Sequence, residues 1–208
     1  MVILRIVLAG IAGYLIGSLS SAVIVSYAVN HTDVRNYGSG NAGATNMARI
    51  FGMGVGVATL LLDGLKTAGA MSLGRLIGGE YGFLLSGFTC LMGHCFPVYF
   101  HFKGGKGVSV GAAIGLMLSW KVFVLLVAVF FITFALTQRV SPASMMCALT
   151  FVPIEFIVGI RGTWTTVLGI AAGLTVLIMH RENLKRLLRG EEKKFRPRRT
   201  GDKPEKRE

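Results

Sequence analysis

Acidic residues are scarce in this chain: ten Asp and Glu stand against 22 Lys and Arg, and charged residues together fill only 15% of its 208 positions. Cysteine is scarcer still. Cys90, Cys95 and Cys147 lie in apolar stretches with no CxxC pair, which excludes a disulfide framework and a zinc knuckle. Cys90 and His94 stand four apart with His101 beyond, too few ligands for a metal centre, so neither metal nor cofactor is expected. Also missing is a basic face interleaved with aromatics on a soluble pattern, so nucleic acid is not an expected partner despite the net charge of +12. Neither an internal repeat nor low complexity precedes the charged tail.

What fills the chain is apolar: 52% hydrophobic residues with 28 glycines, and a mean hydropathy of +0.61. A soluble domain of this length has too little interior for them. A bilayer core of about 30 Å needs about 20 apolar residues as helix, and seven runs qualify or nearly do: residues 2–29, 51–79, 81–100, 108–119, 122–137, 144–160 and 163–179. Arg5 and the small Ser18-Leu19-Ser20 stretch resemble signal-peptide grammar, but the apolar run continues past them. The second run carries Asp63, Lys66 and Arg75 among many glycines and reads as broken; the fourth is short. The expected fold is therefore an all-α polytopic membrane protein of about seven transmembrane helices, or five if those two runs are re-entrant. Loops 30–50, 101–107 and 138–143 then share a side and hold Arg35, Arg49, Lys103, Lys106 and Arg139, whereas the opposite loops hold Glu80, Lys121 and Arg161. The positive-inside bias puts the N-terminus outside and the C-terminus in the cytoplasm. Residues 1–189 form the membrane domain. Residues 190–208 read as a basic cytoplasmic tail facing anionic lipid, disordered past Phe195.

Three polar, glycine-punctuated segments fall on that cytoplasmic side. The first, Arg35-Asn36-Tyr37-Gly38-Ser39-Gly40-Asn41-Ala42-Gly43-Ala44-Thr45-Asn46 followed by Arg49, offers backbone N–H groups and side-chain donors that can wrap an anion. The same residues suit an ordinary turn in which Asn and Ser cap a helix from Met47 onward. Arg49 is the candidate for bidentate phosphate recognition, with Asn41, Thr45 and Asn46 beside it. The second, Lys103-Gly104-Gly105-Lys106-Gly107-Val108-Ser109, resembles a phosphate loop but is no Walker A, since Gly107 follows Gly105-Lys106 where Ser or Thr is required. What survives is a helix N-terminus with two lysines, or else a basic loop on lipid head groups. In the third, His180 and Asn183 are three apart on a helix leaving the membrane, so both can face one cavity; a helix lying on anionic lipid is the alternative. Within the apolar runs Asp63 and Lys66 form an i,i+3 pair, because an isolated charge there costs about 2.5–3.5 kcal/mol. Pairing and substrate contact suit this pair equally, Lys66 being the phosphate-binding candidate of the two, and His94 and Glu155 stay unassigned.

Taken in order, GSGNAGATNxxR, FKGGKG and HRxNxxRLxxGxE resemble the bacterial membrane acyltransferases of the PlsY family across nearly the whole chain. The resemblance implies transfer of an acyl group from acyl phosphate to the 1-hydroxyl of sn-glycerol 3-phosphate, giving lysophosphatidic acid and phosphate at the inner membrane. It implies that Ser39 and Arg49 are required, that Gly104, Gly105 and Gly107 with Lys103 and Lys106 bind glycerol 3-phosphate, and that His180 and Asn183 serve catalysis. Glu192 corresponds to a glutamate regarded as structural. One departure is visible: Gly17-Ser18 is followed by Leu19-Ser20-Ser21 without the family's proline, which leaves the local helix shape open. No His-x4-Asp occurs at His31, His94, His101 or His180, which disfavours acyl-CoA as donor. A transporter of anions or phosphate esters is the alternative reading of charged, glycine-broken helices, and a lipid-binding scaffold is a third.

Overall fold

The long apolar runs are helical, as a bilayer core leaves backbone N–H and C=O groups no partner but each other. The computed structural model describes residues 1–198. Among them the ordered elements are α1 (Val2–Gly17), α2 (Ser21–Asn30), α3 (Ala44–Phe51), α4 (Met53–Cys95), α5 (Val108–Leu118), α6 (Trp120–Thr137), α7 (Val140–Ile157), α8 (Thr163–Met179) and α9 (Arg181–Leu188), with single 3-10 turns at Val34–Asn36 and Val98–Phe100. Four segments are long and apolar enough to cross a membrane, namely Val2–Asn30, Met53–Phe100, Trp120–Thr137 and Val140–Ile157. The α8–α9 pair, bent by 56°, makes a fifth. Leu65, Leu76, Phe131, Ile132, Leu149 and Leu174 point outward and are exposed, a belt that belongs in lipid.

The break expected near residue 79 is a turn. Gly78 and Gly79 leave helical geometry inside α4, and Gly79 at φ 64°, ψ −148° occupies a region open essentially to glycine alone. The arms on either side, 53–77 and 80–95, pack antiparallel: Met71 lies against Gly87, and Cys90 Sγ is 3.9 Å from Thr67 Oγ1. The expected second and third runs are thus the arms of one hairpin. Along the second arm lies α1, parallel to it, with Gly13 and Gly17 facing the backbone of Ser86 and Cys90 and Gly93 facing that of Tyr14 and Gly17. A side chain at any of these glycines would collide with backbone, so they set the distance between the helices. The interior continues through Met71, Leu91, Ile114, Val122, Phe151 and Leu168, which joins α4 to α5, α6, α7 and α8.

Three boundaries differ from expectation. The first run divides at Ser18-Leu19-Ser20, where the Ser18 hydroxyl donates to the Tyr14 carbonyl at 2.8 Å and accepts from Val98 N at 3.4 Å. The Ser18 hydroxyl thereby ties the end of α1 to the turn at Val98. Helix α7 starts at Val140, four residues before the apolar run, because Pro142 in its first turn has no N–H to satisfy. The tail keeps contacts past Phe195: Arg198 N donates to Ala48 O at 3.1 Å, a carbonyl that Gly52 N also reaches, and its Nη1 donates to Ile50 O at 3.1 Å near the end of α3. The remainder of the expected disordered tail, residues 199–208, lies outside the described residues.

The connections sort to two ends. At one, Ile6 meets Gly78, and Tyr81 meets the Trp164 ring with centroids 6.2 Å apart. At the other, the segments around residues 31–50, 101–107, 138–143 and 180–198 bond to one another, and the cleft forms there.

Candidate active site

The first polar segment is built around one buried amide. Asn46, 1% exposed, donates to Val34 O at 3.3 Å and Tyr37 O at 3.1 Å and accepts from Ser39 N at 3.0 Å. Its side chain thus shapes the loop that presents Ser39. Asp33 and Arg35 brace the same loop: the carboxylate takes three guanidinium contacts of 2.7–3.0 Å, and Arg35 Nη1 reaches Phe100 O at 2.8 Å and Lys103 O at 3.3 Å. Burial of Asp33 opposes its ionisation, but the Arg35 hydrogen bonds outweigh it and hold the carboxyl below its ordinary range.

The glycine-rich segment packs on His94. Gly105 N donates to His94 O at 3.0 Å, and a Cβ on Gly105 would run into the His94 imidazole. Gly107, at φ 81°, turns the chain into α5. Beneath the loop Lys66 Nζ contacts Asp63 Oδ1 at 2.9 Å, Leu19 O at 2.9 Å and His94 Nδ1 at 3.1 Å, while Ser109 Oγ donates to Asp63 Oδ2 at 2.7 Å. In this cluster the Lys66 ammonium is engaged by Asp63, the Leu19 carbonyl and His94.

The third segment is organised by Glu192, whose carboxylate accepts from Ser141, from Asn183 Nδ2 at 2.7 Å and from Arg186 Nε at 2.8 Å. Burial pushes this carboxyl up, and those three bonds outweigh it, so it stays ionised below its ordinary range. Asn183 Oδ1 in turn accepts from Lys106 Nζ, which joins the second and third segments. His180 Nδ1 lies 2.7 Å from Val176 O. A carbonyl only accepts, so Nδ1 carries the hydrogen and Nε2 keeps a free lone pair. Burial pushes His180 down to about 4 and Lys106 down to about 8, so near neutrality the imidazole is uncharged and the ammonium still charged.

These pieces surround a cleft of about 1450 Å³. Ser39, Asn41, Thr45, Asn46, Arg49, Lys106, Gly107, His180, Asn183 and Glu192 all line it; Lys66, Lys103, Gly104 and Gly105 do not. Lys103 is exposed, and the two glycines lie behind the wall. Three helices begin at the cleft, α3 after Gly43, α5 after Gly107 and α9 after His180, and no side chain caps any of them. Capping from Met47 onward is not realised, since Asn46 bonds backward to the loop. Three helix N-termini without side-chain caps therefore converge where Arg49 and Lys106 add full charges. Arg35, Ser109, Ser141 and Arg186 were not among the expected site residues; Arg35, Ser109 and Arg186 lie inside the three polar segments, whereas Ser141 carried no signal.

Apolar helices around a cationic, N–H-rich cleft at one end define a multi-pass membrane protein that handles anions. The family described as glycerol-3-phosphate acyltransferase matches residues 7–190. Proteins of that name are 36% identical over 192 residues in Finegoldia magna, covering 92% of this chain and 97% of the relative, and 38% identical over 185 residues in Dinoroseobacter shibae, covering 89% and 90%. The fold superimposes on a crystal structure of PlsY (YgiH), an integral membrane glycerol 3-phosphate acyltransferase in its glycerol 3-phosphate form, with a TM-score of 0.85, 31% identity and coverage of 92% and 96%. The lysophosphatidic acid form of that protein gives 0.82, 30%, 92% and 95%. The chain belongs to the glycerol-3-phosphate acyltransferase family.

Proposed function

We propose that this protein moves a fatty acyl group from acyl phosphate to the 1-hydroxyl of sn-glycerol 3-phosphate, releasing lysophosphatidic acid and inorganic phosphate. The observation that carries the reading is the convergence of three uncapped helix N-termini with Arg49 and Lys106 on one cleft. Both substrates bear phosphate, and such a surface favours two of them at once. The glycerol oxygen attacks the acyl carbon, a C–O ester bond forms, and the bond to the departing phosphate breaks. Arg49, Lys106, Asn183 and the loop N–H groups, with Ser39, Asn41 and Thr45, hold the phosphates and offset charge developing on the leaving group. The proton goes to substrate phosphate or to His180 Nε2. Positioning is favoured over a serine nucleophile, because His180 is oriented by the Val176 carbonyl and no carboxylate completes a triad.

The same reading places the site on the cytoplasmic side of the bacterial inner membrane, among its lipids. It counts seven passes: the α1–α2 unit, two arms of α4, α5, α6, α7 and α8. Basic residues at the cleft end, among them Arg35, Lys103, Arg139 and Lys185, support this orientation. Transport has no observation in its favour, since the intramembrane charges of Asp63 and Lys66 neutralise each other off the cleft.

The test is purified protein in detergent with palmitoyl phosphate, glycerol 3-phosphate and EDTA, with palmitoyl-CoA as donor in parallel. Equal amounts of phosphate and lysophosphatidic acid from acyl phosphate alone are expected. Product from the thioester only, or none from folded protein, would overturn the reading.

A further inference from the structure

The family match ends at residue 190, but the chain does not leave the site there. Residues 191–198 run along the rim of the cleft, fastened at both ends. Arg139 Nε donates to Glu192 O at 2.7 Å where the segment begins, Phe195 N donates to Gln138 O at 2.9 Å midway, and Arg198 bonds the Ala48 and Ile50 carbonyls of α3. Midway along this strap the Phe195 ring stands edge-on to Phe134, centroids 6.1 Å apart and planes at 70°, and its centroid lies 5.9 Å from Arg49 Cζ. That distance is within the range of a cation–π contact.

Arg49 differs from the other arginines around the cleft. Arg35 is committed to Asp33 and two carbonyls, and Arg186 to Glu192. Among the described residues Arg49 makes neither hydrogen bond nor ion pair; the aromatic ring is its specific partner. A guanidinium on a flexible stem with no polar partner samples many rotamers, and each one lost on binding costs affinity. An aromatic ring restricts the guanidinium without consuming any N–H, because it engages the plane and leaves the edges open.

We propose that Phe195 is a positioning residue: the C-terminal strap sets its ring against Arg49 and holds the guanidinium ready for two-pronged binding of a substrate phosphate. The inference rests on the reading of Arg49 as a phosphate ligand. Phe195 itself touches no reacting atom. Its contribution is to preorganise a cation, and it does so from a position outside the three motifs.

The full-length enzyme is assayed in detergent as wild type, Phe195→Leu, Phe195→Tyr, Phe195→Trp and Arg49→Lys, with thermal unfolding recorded for each. Leucine keeps apolar bulk but has no π face. Phe195→Leu is expected to raise the KM for glycerol 3-phosphate or for palmitoyl phosphate roughly 3- to 30-fold with little change in kcat or Tm. Tyr and Trp are expected to preserve wild-type KM, and Arg49→Lys to be impaired. Wild-type KM in Phe195→Leu beside an impaired Arg49→Lys sinks the strap assignment alone. The same holds if all three Phe195 variants lose activity in step with Tm, which marks packing only. Wild-type kinetics in Arg49→Lys would remove the phosphate role on which the inference stands.

Discussion

Lys106 is a charge at the cleft whose state changes close to physiological pH. Burial, reinforced by repulsion from Arg186 and Arg49 and opposed by Glu192, brings it to about 8. The sign follows from the chemistry: below that pH the ammonium is present to meet phosphate, and above it the amine is neutral and loses its charge-assisted bond. Because kcat/KM reports the free enzyme, it is expected to fall on the alkaline side of about pH 8. The neutral His180, at about 4, contributes no limb between pH 5 and 8. Lys106→Arg keeps its charge in this range, so the alkaline limb should move out of it, whereas Lys106→Met should lose roughly 10- to 100-fold at pH 7. An unchanged limb in Lys106→Arg would assign the titration to another group. At this scale the sequence was most informative where a side chain has few reasons to exist other than chemistry. Arg49, His180 and Asn183 were legible for that reason and all reach the cleft. Lys66 and Lys103 were not distinguishable from Lys106 by type or spacing. What separates them is a pairing with Asp63 in one case and exposure away from the cleft in the other, both set by packing between distant segments.

At the scale of elements, loop precision rests on absent side chains. Gly105 is buried against His94, with Ala42 O 3.0 Å from where its Cβ would be, so the glycine-rich segment sits between α4 and the first polar loop. Adding one methyl group must displace the loop and with it Lys106, the next residue. A misplacement on the order of 1 Å costs about 100-fold in rate, and Gly105→Ala is expected to lose 10- to 100-fold in kcat/KM (an order-of-magnitude range from the same principle). Steady-state kinetics beside thermal unfolding check it: activity near wild type would show that the loop position is not critical. Helix existence was legible from apolar runs, and the interruption near residue 79 from charges and glycines. Whether that interruption is a kink or a turn depends on the Gly79 backbone and on the fit of Gly74, Gly82 and Met71 between the arms, which no periodicity reports. The break at Ser18 was likewise hidden, since serine is tolerated in helices and here acts through Val98, 80 residues away.

For the whole molecule, the helices give each connection a definite end, and that is what brings motifs separated by 60 to 80 residues together: Arg35 bonds to Lys103 O, and Lys106 bonds to Asn183. One helix strains this arrangement. With 11 residues α5 is about 17 Å long against a core of about 30 Å. A short helix starting at the cleft places its N-terminus below the interface, and the Asp63–Lys66–His94 cluster supplies polar partners at that depth. The phosphates would then bind at a level from which an acyl chain still extends into lipid. Such a site faces one compartment only, and the basic excess at the cleft end is the ground for proposing that this compartment is the cytoplasm. The consequence is open to test with single cysteines, introduced at exposed Lys103 on the same end of the molecule as the cleft and at exposed Arg161 at the opposite end, in a chain whose Cys90, Cys95 and Cys147 are replaced by alanine. An impermeant maleimide applied to intact spheroplasts should label Arg161→Cys and spare Lys103→Cys until the membrane is opened. The reverse pattern would put the cleft outside the cell, and labelling of both before opening would place the two loops on one side and rule out an odd number of passes between them.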